Sequence, residues 1–350
     1  MKKKLLSLIG IMLILFSFSG CGNSSKTSGN DDKQLVVVDW GGAYSDARKK
    51  ANYEPFEKKY GVKIVVVNPT DYGKLKAMVQ SGNVEWDVVN VDSDFSLRGG
   101  KQGLLEKLDY NLIKTDGIDK KFINPYGVGS DTFSVAICYG TNTFSKDNHP
   151  KNWAEFWDTA KYPGARTMWK YPLGTLESAL LADGVKPEDL YPLDVDRAFK
   201  SLDKIKKNVK LWWTSGAQTP QALSSGDVTL AASWNSRIAE AKREGAPVDL
   251  EYNQALIGGD SWVIPKGAKH KDLAMKFIAY VTTPEQQAAF SKLIDDGPAS
   301  SKAVDLLPED RKKALGKTDE DAKKQIIVDV NWWADNYEAV DKRFQEWLIQ

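Results

Sequence analysis

Cysteine and histidine are nearly missing from this chain of 350 residues, which contains only 2 of each. His149 and His270 stand far apart in polar, turn-like contexts, so no HExxH pair or histidine cluster exists, and Cys21 with Cys138 cannot make a CxxC zinc site. Two cysteines also rule out a disulfide framework. There is no Gly-x4-Gly-Lys-Ser/Thr phosphate loop and no GxSxG elbow. Gly127-Val128-Gly129 starts like a nucleotide loop but lacks the third glycine and the helical pattern after it. The paired carboxylates Asp92 and Asp94 suit acid–base work by type, but an irregular loop does not fix their separation. Net charge is missing too. With 48 Lys plus Arg against 47 Asp plus Glu, no field exists to recruit nucleic acid or an anionic membrane surface. No catalytic residue, metal or cofactor is expected, and the chain reads as a binder of something small.

What is present is an ordinary globular body, 42% hydrophobic and 27% charged, long enough for two domains. Tryptophan is frequent at 12, more than cores alone require, which leaves indoles free to line a groove.

The N-terminus reads as an address. Lys2 to Lys4 form a basic segment and Leu5 to Gly20 an apolar one too short to span a bilayer comfortably, so residues 1–20 are expected to be a secretory signal. It ends in Phe18-Ser19-Gly20-Cys21, which resembles a bacterial lipobox and implies lipidation of Cys21. The polar stretch 21–34 then suits a flexible tether. Attachment to the outer side of the cell membrane through that lipid alone is the expectation, with Cys138 as a lone thiol.

Downstream the pattern alternates. Leu35 to Asp39, Val62 to Val67 and Trp86 to Val91 read as short strands, with helix-like Tyr44 to Tyr60 and Asp71 to Ser81 between them. Such alternation predicts an α/β fold built on parallel βαβ units, whose ligands sit beyond the carboxyl ends of the strands. Tyr126 to Tyr139 reads as extended. A second α/β region follows, with Leu176 to Asp183 and Val195 to Lys207 helical and Lys210 to Trp213 and Thr229 to Ala232 as strands. Ser261 to Pro265 reads as another strand, Lys271 to Leu293 as helix broken at Pro284, and Trp333 to Leu348 as an amphipathic closing helix.

The stretch Leu230 to Pro265 organises the reading. It places Trp234 just beyond one strand, Arg237 one turn further on, and Asp260 just before Trp262 and another strand. A carboxylate and a π face on rigid supports are what a small organic cation needs, because an isolated buried charge costs several kcal/mol. Arg237, if it faces the same space, would clamp a carboxylate bidentately.

The lipobox, Trp40-Gly-Gly-x-Tyr44, Asp87-Val-Val running to Asp92-Ser93-Asp94, Ser233-Trp234-Asn235, Gly259-Asp260-Ser261 and Asn331-Trp332-Trp333 occur in an order that resembles the extracellular solute-binding proteins of bacterial ABC importers. The spermidine/putrescine-binding branch, with its relatives for 4-aminobutyrate, is the nearest likeness. The resemblance implies a two-lobe, type II periplasmic-binding-protein-like fold joined by crossing strands, with lobe 1 from 35–139 plus 261–300 and lobe 2 from 140–260 plus 301–350. It implies a monomer that hands its solute to membrane permease subunits, with no enzymatic activity. Carried over by position, Trp40, Tyr44, Asp92, Asp94, Glu177, Trp234, Asp260 and Trp333 become expected ligand contacts. Gly258 and Gly297 depart from the pattern, standing where polyamine binders have a tryptophan and often a tyrosine. The surplus of carboxylates favours a polyamine such as putrescine or spermidine, with a zwitterion such as 4-aminobutyrate as the alternative. A secreted enzyme or an adhesion lipoprotein on the same fold are remoter alternatives.

Overall fold

The computed structural model describes residues Lys33–Gln350; the expected signal segment and Cys21 lie outside them. Valine-rich runs form the inner strands: β1 (Gln34–Val38), β2 (Lys63–Val67) and β3 (Val88–Asp92) pair in parallel, with β1 in the middle. Helical crossovers cover them. The first starts as α1 (Gly42–Arg48) and continues through a π-type stretch to Tyr60. The second is α2 (Tyr72–Ser81), whose first turn is capped by the Asp71 carboxylate accepting the Lys74 N–H at 2.9 Å. After β3 the chain turns at once into α3 (Ser93–Lys101).

Two long strands then run the length of the sheet. β5 (Gly127–Gly140) follows the short β4 (Ile123–Asn124), and β9 (Val248–Val263) pairs antiparallel with β5 almost end to end. Between them in sequence lie β6 (Arg166–Trp169), α4 (Thr175–Ala182), β7 (Val209–Trp213), β8 (Leu230–Trp234) and α5 (Asn235–Arg243). After β9 come α6 (Pro284–Ser291), β10 (Gly297–Pro298), β11 (Ile326–Ile327) and α7 (Val330–Leu348). The strand order is β2-β1-β3-β9-β5-β8-β6-β7, with β4 and β10 also on β5 and β11 also on β9.

β9 is longer than the sequence pattern predicts. Within it only the part from Ser261 reads as strand in the sequence, yet the strand begins at Val248. The run Glu251 to Gly259 shows no period-2 alternation because β9 passes from one packing environment to another, with bulges against β5 between Gly129 and Asp131 and between Val135 and Ile137. Its ends serve different cores. Trp262 joins Val128, Leu35, Phe56 and Phe277, whereas Leu256 joins Val135, Ile137, Trp153, Leu176 and Phe344. Trp262 is therefore a core residue, fully buried, with the Arg48 guanidinium 5.2 Å from its ring. α7 packs Trp333, Phe344 and Trp347 into the second core. In the segment before it, Ala303, Leu307 and Leu315 cluster with Ala288 of α6, and the Ala314 carbonyl accepts the Tyr252 hydroxyl of β9 at 2.7 Å.

Candidate functional site

The carboxyl end of β3 pairs with the last residues of β9, Asp260 to Val263, and the chain leaving the neighbouring β1 reaches the same place. β1 runs out into Trp40, whose indole N–H donates to the Asp260 carboxylate at 2.8 Å. Asp260 is paired in register with Asp92 on β3 and with Asp131 on β5, so three aspartates stand side by side on adjacent strands. Their surroundings differ. Asp131 is buried and fully served: the Arg48 guanidinium forms an ion pair with it, and the Tyr44 hydroxyl donates to it at 2.8 Å. Arg48 also donates to the Tyr44 oxygen at 2.8 Å. Asp92 receives the Tyr72 hydroxyl and Asp260 receives Trp40, and neither has a cationic partner among the described residues. Burial, then the neighbouring Asp94 charge, pushes the Asp92 carboxyl up to about 7. Asp260 is raised well above the usual carboxylate range by burial, then by Asp131 and Asp92. Asp296, just before β10, is raised to about 7 by burial and by Asp131, with Arg237 acting in the opposite sense.

A narrow crevice, with about 10 Å³ of enclosed space, opens beside Asp92, Ser93 and Asp94, lined across from them by Phe133, Trp169 and Tyr171. Trp169 stacks on Trp213 at 5.3 Å and on Tyr171 at 4.7 Å. Trp234 meets Trp169 edge-on at 5.1 Å and Phe133 at 6.1 Å, and its buried indole N–H has no partner among the described residues. These rings supply polarisable faces and edges against carboxylates lacking a counter-charge, an arrangement that stabilises an organic ammonium.

The sequence-predicted residues fall into groups. Trp40, Asp92, Asp94 and Asp260 come together at the strand ends. Trp234 lies in the aromatic cluster, and Arg237 lies one turn along α5, 38% exposed, 3.3 Å from Glu240. Tyr44 is 5% exposed and serves Asp131 and Arg48, a supporting position beneath the carboxylates. Glu177 and Trp333 are brought together away from the crevice. Both are fully buried, and the Glu177 carboxylate accepts the Trp333 indole N–H at 2.6 Å and the Gly174 N–H at 2.8 Å. Glu177 thereby caps α4, and the pair fastens α7 to the second core.

Sequence reasoning missed Asp131, Asp296, Phe133, Trp169 and Tyr171. A carboxylate and a large ring inside an extended run were the available signal for Asp131 and Phe133. Trp169 ends β6, a strand that the pattern did not reveal, and Tyr171 sits just beyond it. Phe133 also explains Gly258, because a Cβ there would stand 2.6 Å from its ring. The ring thus occupies the space a side chain at 258 would need. Among the described residues no group of His, Cys, Asp or Glu is arranged to hold a metal ion, and no helix is long and apolar enough to cross a membrane.

Residues 51–321 match the family profile described as bacterial extracellular solute-binding protein. The chain is 38% identical over 328 residues to the gamma-aminobutyric acid-binding protein of Pseudomonas aeruginosa, covering 91% of this chain and 92% of that protein. It is 25% identical over 286 residues to spermidine/putrescine-binding periplasmic protein 1 of Haemophilus influenzae, covering 73% and 78%. A solved GABA receptor superimposes with a TM-score of 0.84 at 40% identity, over 90% of this chain and 97% of that one.

Proposed function

This chain belongs to the bacterial extracellular solute-binding proteins, and from that premise we propose that it captures 4-aminobutyrate or a closely related zwitterionic amine. It is the solute-binding component of an ABC importer, with a type II periplasmic-binding-protein fold. The observation that carries the reading is the pair Asp92–Asp260, adjacent in register, the first half-buried at the aromatic-lined crevice and the second buried behind it, with no ion-pair partner for either among the described residues. In this reading the pair receives the ammonium group, and Arg237 at the rim receives the carboxylate. Trp40 holds the Asp260 carboxylate in place, and Trp234 with Phe133 and Trp169 closes over the aliphatic chain.

The zwitterion is preferred over the polyamine that the surplus of carboxylates first suggested. The gamma-aminobutyric acid-binding relative is markedly closer than the spermidine/putrescine-binding one. Two of the counted carboxylates are also spoken for, Glu177 within α4 and its neighbours and Asp94 by Arg98. In the same reading the crevice separates two lobes that close on the solute, with 301–315 moving with the first and α7 with the second. Cys21 carries the lipid anchor.

Calorimetric titration with 4-aminobutyrate, putrescine and spermidine tests the ligand. Saturable binding of the first and weak or no binding of the others is expected, and binding only of the polyamines overturns the proposal. Asp260→Asn should cost roughly 2 to 5 kcal/mol of binding, ~30-fold or more in affinity. Arg237→Ala should cost roughly 2 kcal/mol for the zwitterion and nothing for putrescine. Glu177→Gln should lower the melting temperature while leaving affinity within a few-fold.

A further inference from the structure

Five aspartates act on one another here: Asp92 and Asp94 line the crevice, Asp260 and Asp131 follow Asp92 in register on the next two strands, and Asp296 feels the charge of Asp131. Three basic side chains meet them. Arg48 is locked to Asp131, Arg237 acts on Asp296 from α5, and Arg98 pairs with Asp94 one turn along α3, its Nη2 3.4 Å from the Asp94 Oδ2. Among the described residues Asp92 and Asp260 form no ion pair, although Arg98 also acts on Asp92 from a distance.

We propose that Arg98 is a specificity-determining residue: by pairing with Asp94 it confines the unpaired negative charge to the adjacent Asp92 and Asp260, a single point of attraction for an ammonium group, and thereby selects mono-amines over diamines. The inference rests on the reading that the crevice takes an ammonium ligand. Geometry keeps Arg98 at this task. Its side chain is 13% exposed, and its guanidinium carbon lies 4.4 Å over the Tyr337 ring of α7 and 5.1 Å over Phe95. Its Nε is buried with no hydrogen-bond partner among the described residues, so the group is held by one carboxylate and two rings and is not free to follow solvent. Asp94 itself is 3% exposed and lines the crevice next to Asp92. Without Arg98 a second anionic point would open beside the first, suited to the far ammonium of a diamine and repulsive to a ligand carboxylate.

The test compares affinities for 4-aminobutyrate and putrescine, measured in parallel on the whole protein. Arg98→Met should weaken the first tenfold or more and strengthen the second tenfold or more. Arg98→Lys, which keeps the charge, should retain the wild-type ratio. Adding Asp94→Asn to Arg98→Met should restore that ratio, because both charges of the pair are then gone. Tyr337→Leu removes packing but no charge and should not raise putrescine affinity. If Arg98→Met does not fold, Asp94→Asn alone decides: leaving Arg98 unbalanced at the wall, it should weaken both ligands. An Arg98→Met variant that changes both affinities equally, or a double variant that keeps the altered ratio, overturns the inference. A wild-type protein that binds putrescine and ignores 4-aminobutyrate overturns the zwitterion reading instead. Arg98 is then judged on putrescine alone, whose affinity must still rise in Arg98→Met and fall back in the double variant.

Discussion

Asp92 and Asp260 make the unliganded protein hold protons that an ordinary aspartate would have released. Asp92 and Asp296 titrate at about 7, and Asp260 lies above the ordinary range, all three through burial first and neighbouring negative charge second. In the unfolded chain the same groups titrate near 4. Between pH ~4 and 7 the folded state therefore binds more protons, and stability falls as pH rises through this window. An ammonium ligand replaces those protons, so affinity should rise over the same interval and binding should release protons into the buffer. Calorimetry in buffers of different ionisation enthalpy measures the release, and thermal melts from pH 5 to 8 should show the ligand-induced shift growing with pH. A pH-independent affinity would mean that the solute does not meet these carboxylates. Asp260 was legible in the sequence because glycines flank it ahead of a strand and because it sits in a recognisable order of motifs. Its partner Asp131 was not, since register between β5 and β9 cannot be read from either strand alone.

At the scale of elements, the parallel strands β1 to β3 and their helices follow the sequence pattern closely, because each strand is short, apolar and bounded by turn residues. The crossing pair does not, because one strand serves two cores and its periodicity breaks where it changes environment. That change of environment is pinned by α5. Asn235, 2% exposed at its first turn, accepts the Ser134 N–H of β5 at 2.8 Å and donates to the Asp295 carbonyl at 3.0 Å. One side chain thus ties α5 to β5 and to the segment entering β10. Asn235→Ala would leave two buried backbone groups unpaired, a cost of roughly 2 to 5 kcal/mol. The melting temperature should fall by several degrees, whereas Asn235→Asp, which keeps the acceptor, should lose about half as much. Equal losses would show that the N–H acceptance contributes nothing.

For the molecule as a whole, polar contacts join α3 to α7. Lys101 pairs with Asp335, and the Gln102 amide donates to Glu338 at 3.0 Å. The ion pair is exposed on both sides, 48% and 59%, and such pairs contribute about 1 kcal/mol or less. If the proposed lobes close on the solute, contacts this weak leave the solute to supply the difference. Saturating ligand should shrink the radius of gyration in small-angle scattering, and Lys101→Ala should alter affinity less than fivefold. An unchanged radius would remove the clamp from the account. The order of the strands carries a different consequence, for the chain as it is made. β9 lies between β3 and β5 in the sheet yet is the last of the three to emerge. A nascent chain shorter than about 250 residues has an empty slot through its centre. It cannot lock into its final shape, and so stays pliable enough to be threaded elsewhere until nearly three quarters of its length has appeared.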